Sequence, residues 1–186
     1  MPRFTDYYSD GEVKDIMERF IERFPKMFGS FNVDSISFIT TKKKKSAKPI
    51  RLLAIPYPME ALINKPYIVE AYEARWKGMT PKQKNLAVFH IMCAIPEDGF
   101  TESANHYGKK IKPEISMYMR EFAASGGVPN WMENPAAVDP MERTEEDVNE
   151  DLPEVEGDDG EVVRATSKVV AATGPKLPTK IAAAAK

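Results

Sequence analysis

The chain has 186 residues, enough for one domain and a tail. Its 26 basic and 28 acidic side chains nearly cancel, and no run approaches the roughly 20 apolar residues that a membrane span needs. The single cysteine, Cys93, excludes an intramolecular disulfide and any cysteine-built zinc cluster.

Ser9-Asp10-Gly11-Glu12 reads as a capping box, with Ser9 or Asp10 as the cap. Val13, Ile16, Met17, Phe20, Ile21 and Phe24 then recur at helical spacing, and Pro25 ends the run. Residues 33–40 read as a strand, residues 41–48 as a lysine-rich connection, and residues 50–55 as a second strand. These two strands are expected to form a hairpin with the basic loop at its tip. Tyr67-Ile68-Val69-Glu70-Ala71-Tyr72 reads as a third strand.

Thr80-Pro81 is a strong helix start, a capping hydroxyl followed by proline at the first helical position. That helix should run to about Ile95, with Leu86, Phe89, Met92 and Cys93 on its apolar side and His90 beside them. A loop leads to a last helix over residues 113–125, with Ile115, Tyr118, Met119 and Phe122 as its buried face and Gly126-Gly127 as its end. Trp131 is expected to close the domain.

The remainder differs in composition. Residues 1–132 carry 20 basic against 15 acidic side chains, residues 133–161 carry one against 13, and residues 162–186 carry five basic and no acidic ones. Aromatic residues are absent after Trp131. Such a segment is expected to bury too little apolar surface to offset its ordering entropy. The expected division is a domain over 1–132, a disordered acidic linker over 133–161, and a basic Ala/Val-rich tail over 162–186 suited to binding a partner.

The segment His90-Ile91-Met92-Cys93-Ala94 carries the functional argument. Two histidines at i and i+4 share one face of a helix and can hold zinc, and a glutamate directly after the first acts as general base on the bound water. Here the first histidine stands alone, with Ile91 at the base position and Ala94 at the second ligand position. The run Ile36-Ser37-Phe38-Ile39, the lysine-rich loop, Tyr67-Ile68-Val69-Glu70, Trp76, Thr80-Pro81-Lys82-Gln83-Lys84, Glu97-Asp98-Gly99 and Gly126 also stand in a familiar order. Over roughly residues 10–131 the chain resembles the phage metallopeptidases, small zinc-peptidase-like domains encoded mostly by bacteriophages and prophages.

That resemblance implies an α+β domain: an N-terminal helix, a three-stranded antiparallel or mixed sheet with a basic hairpin, two C-terminal helices, then a disordered tail. It also implies metal ligands at His90, Ala94 and Glu114, of which only His90 keeps its imidazole. The expectation is a catalytically inactive member with no cofactor, acting as a protein-binding or structural accessory factor in the host cytoplasm during infection or in the virion. Its partner would be a phage structural or host protein reached through residues 133–186, with no membrane role.

Two alternatives stand beside it. An atypical zinc-dependent hydrolase would use His90, His106 and Glu114. A nucleic-acid-binding accessory protein would use Lys42, Lys43, Lys44, Lys45 and Lys48, although no aromatic residues interleave these lysines for base stacking. His90 also reads as an ordinary hydrogen-bonded histidine, and Cys93 as packing.

Overall fold

The computed structural model describes residues 7–9, 11–42, 48–55, 62–95, 115–131, 133–152, 154–156 and 162–164. Helix α1 (Glu12–Arg23) buries Val13, Ile16, Met17 and Phe20 and follows Gly11, with no side-chain cap bond, so the expected capping box does not form at this end. Pro25 stops α1 and takes the first position of a short α2 (Pro25–Phe28). Phe20, Phe24 and Phe28 all converge on Phe89, with ring centroids 5.1, 5.4 and 5.5 Å away. Edge-to-face packing of this kind seats α1 and α2 against the helix that carries His90.

The strands are β1 (Tyr7–Tyr8), β2 (Ile36–Thr41), β3 (Ile50–Ala54) and β4 (Tyr67–Tyr72), in the spatial order β1-β2-β4-β3. β4 runs parallel to β2 and antiparallel to β3, so the sheet is mixed and four-stranded rather than three-stranded. The expected β2–β3 hairpin does not form, because β4 lies between them. Two physical causes favour this arrangement. Val69, Glu70, Ala71 and Tyr72 are all buried, so β4 needs a neighbour on each edge and cover on each face. The lysine-rich connection also lacks the Asn-Gly or Gly-containing pair that a tight hairpin turn uses.

A short helix α3 (Glu73–Trp76) leads to α4 (Pro81–Cys93). The expected start of α4 is present in full: Thr80 accepts from the Gln83 backbone N–H, and the Gln83 side chain accepts from that of Thr80. α4 is the central helix. Residues 85–89 and 91–93 are buried, which is why its apolar positions show no single face. Glu12 fastens the layers, accepting from Trp76 Nε1 at 2.7 Å and from Lys84 Nζ at 2.6 Å. No described helix is long and apolar enough to cross a membrane.

The last helix of the expected domain, α5 (Ile115–Ala124), presents a different face from the one anticipated. Met117, Glu121, Ala123 and Ala124 are buried, whereas Tyr118 is 52% exposed. Gly126 and Gly127 end the helix with φ of 85° and 71°. An added Cβ at Gly126 would lie 2.8 Å from Val138 Cγ2, so both backbone angle and close approach require glycine there.

Residues 133–152 pack on the body as a strap containing a 3-10 turn (Pro140–Glu142) and helix α6 (Glu145–Glu150). Ala137, Val148 and Leu152 are buried, which gives this acidic segment the apolar anchors its composition obscures. Glu145 accepts from the Lys26 and Met27 backbone N–H groups at 2.7 and 2.9 Å, Asn85 donates to both Asp139 oxygens, and Arg23 donates to the Arg143 carbonyl. Beyond the strap, β5 (Glu154–Glu156) pairs antiparallel with β6 (Val162–Arg164).

Candidate functional site

His90 lies in the last turn of α4, facing α5. Its Nδ1 is 2.8 Å from Glu121 Oε1, and its side chain is 26% exposed while that of Glu121 is 2% exposed. Nδ1 and the carboxylate oxygen share one hydrogen bond, with donor and acceptor set by the imidazole tautomer. Trp131 closes another side of the imidazole, with ring centroids 5.7 Å apart. Glu121 Oε2 and Arg120 Nε are buried with no hydrogen-bond partner among the described residues.

Around this pair the helix is apolar. Ile91 and Ala94, at the base and second-ligand positions, are each 4% exposed and belong to the main core cluster. Cys93 is buried, and burial, then the Glu121 charge, push its thiol well above its ordinary range. That favours the protonated thiol and suits packing rather than nucleophilic or ligand chemistry.

The structure brings together His90, Ile91, Ala94 and Cys93 on α4. His106, Glu114, Lys43, Lys44 and Lys45 lie outside the described residues. Lys42 and Lys48 are exposed, and Lys42 Nζ sits 5.9 Å from the centre of the Tyr8 ring. Glu121 was the functional residue that sequence reasoning missed. The available signal was positional: Met117, Glu121 and Ala124 share one helical face, and a carboxylate there needs a partner.

A family model described as putative phage metallopeptidase matches residues 5–123, well over half of the chain. The chain belongs to the phage metallopeptidase family. The family match ends inside α5, so the strap over residues 133–152 lies beyond it. A comparison with curated proteins and one with solved structures find no match.

Family membership implies a zinc ion, which sets a requirement for the donor side chains. A hydrolytic zinc takes three protein ligands and a water. Among the described residues no group of three or more His, Cys, Asp or Glu side chains is placed to hold a metal. The position one turn after His90 is a buried alanine methyl group. At the expected ligand positions the described residues offer one imidazole, His90, and one methyl group, Ala94, and by themselves do not make a zinc centre; His106 and Glu114 lie outside the described residues.

Proposed function

We propose that this phage metallopeptidase-like chain has lost hydrolytic chemistry and works by binding a protein partner, during infection or within the particle. One observation carries the reading. The side chains at the general-base and second-ligand positions, Ile91 and Ala94, are embedded in the hydrophobic core, while His90 is engaged with Glu121. Neither the sec-butyl side chain of Ile91 nor the methyl group of Ala94 can take a proton from water or donate an electron pair to a metal, so the general-base route is missing at its source.

The partner-binding half of the proposal rests on organisation. Charge is segregated along the C-terminal third, and the strap commits residues 133–152 to the body, which leaves residues 153–186 as the segment available to a partner. The test compares the full chain with a chain ending at Leu152, using partner capture from infected-cell lysate and a zinc-supplemented peptide-hydrolysis assay. Retention by the full chain alone, with no hydrolysis by either, supports the reading. Turnover that depends on His90, or equal retention by both chains, refutes the corresponding half.

A second reading is favoured by one feature. An imidazole whose Nδ1 is tied to a carboxylate has the orientation of a metal-ligating histidine with its outer-shell partner. That feature supports a divergent hydrolase using His90, His106 and Glu114, and stoichiometric zinc lost on His90→Ala would establish it in place of the first.

A further inference from the structure

We propose that His90 and Glu121 form a metal-independent clasp that fixes α5 on α4. Small side chains dominate the fully buried described positions of α5. With Met117 these are Glu121, Ala123, Ala124 and, just beyond the helix, Ser125, all at or below 5% exposure, while Met119 packs part-buried against the core. Small side chains let the two helices approach closely but supply little apolar area to hold them.

A carboxylate placed in that contact costs free energy unless it is paired. Glu121 finds its donor on the opposite helix, at 2.8 Å. Ile91 and Ala94, one and four residues on from His90, are buried in the core, and a low local dielectric strengthens a hydrogen bond that is made. Trp131, from the segment following α5, covers the imidazole and ties the chain beyond the helix to the same point. His90 and Glu121 are thus positioning residues: they set where α5 sits on α4. The second buried oxygen of Glu121, without a described partner, explains why the arrangement depends on the first.

The inference rests on the reading that the domain carries no hydrolytic metal, and its test separates the two. Full-length wild type, His90→Leu, Glu121→Leu, the double variant and His90→Asn are melted with and without chelator and with added zinc chloride. Each single leucine variant strands a buried or half-buried polar group and should lower Tm by about 4–8 °C. The double variant should lose clearly less than the sum, because removing both partners leaves no orphan. His90→Asn, which keeps a side-chain N–H near the Nδ1 position, should recover about half of the His90→Leu loss. Chelator and zinc should change none of these values.

Additive losses in the double variant, or an asparagine no better than leucine, overturn the clasp while leaving the inactive-domain reading intact. A zinc-dependent rise in wild-type Tm that disappears in His90→Leu overturns both. Should a leucine variant fail to fold, the His90→Asn comparison and the zinc titration of wild type still decide the matter.

Discussion

Replacing Glu145 by alanine is the sharpest test of where this domain ends. The carboxylate is 6% exposed and its Oε1 accepts from two backbone N–H groups at the start of α2, at 2.7 and 2.9 Å. Alanine leaves both donors without that acceptor. Hydrogen bonds to charged groups contribute about 1.5–3 kcal/mol each, and loss of a capping side chain typically costs about 0.5–2 kcal/mol. Because one oxygen serves both donors, the two bonds do not add fully, and a total near ~2–3 kcal/mol follows. For a chain of this size that corresponds to a Tm fall of about 5–10 °C. Glu146 is the internal control. It shares the first turn of α6, so its interaction with the helix dipole is alike. Its side chain is 73% exposed, and it reaches only Lys26 Nζ, at 3.7 Å, a pair that contributes about 0–1 kcal/mol. Thermal unfolding followed by circular dichroism, with calorimetry to check two-state behaviour, compares the two variants. If Glu145→Ala and Glu146→Ala melt within about 1 °C of each other, the strap is not part of the fold and the reasoning fails.

Four further outcomes follow from the same structure. A chain ending at Leu152 should melt within about 2 °C of the full chain, whereas one ending at residue 132 should lose cooperative unfolding, since Val148, Leu152 and the Glu145 cap go with it. Installing Ile91→Glu with Ala94→His puts an unpaired carboxylate in the core and should cost about 3–5 kcal/mol without yielding peptide hydrolysis, as measured by denaturant titration and a zinc-supplemented assay. Cys93 should resist alkylation at neutral pH in the folded protein and react on unfolding, read by mass spectrometry, because it is buried and its thiol is pushed upward. Burial raises Glu12, but hydrogen bonds from Lys84 and Trp76 and the Lys84 charge outweigh it and hold the carboxyl below its ordinary value of 4.5. A depressed folded-state value means that the unfolded chain binds more protons, so this contribution is present above pH 4.5 and fades as pH falls through the lower folded value. Glu12→Gln should therefore flatten the acid limb of a Tm-against-pH curve and leave its shape near neutrality unchanged.

What the sequence disclosed tracked local physics. The Thr80-Pro81-Lys82-Gln83 start, the apolar stripe of α1 and the glycine end of α5 are each set by residues within a turn or two, and each is present. Long-range relations were less legible. The order of strands depends on β4 being buried on both faces, a property that the alternation of a short apolar run does not reveal. The face of α5 was misjudged in part: Tyr118 points outward, while alanines and a glutamate join Met117 in the core and Met119 packs against it. Acidic composition also hid the strap, in which three buried apolar side chains and a few carboxylates with specific donors suffice to hold 20 residues.

The polar groups of α4 connect these surprises. The helix is surrounded by core, and two of its polar side chains, Asn85 and His90, both reach toward the C-terminal part of the chain: Asn85 to Asp139 in the strap and His90 to Glu121 in α5. Neither acceptor sits at an expected metal-ligand position, and Asp139 lies outside the span that the family model matches. These two contacts join the centre of the fold to α5 and to the strap, and with Glu145 on the α2 backbone they tie residues 133–152 to the body.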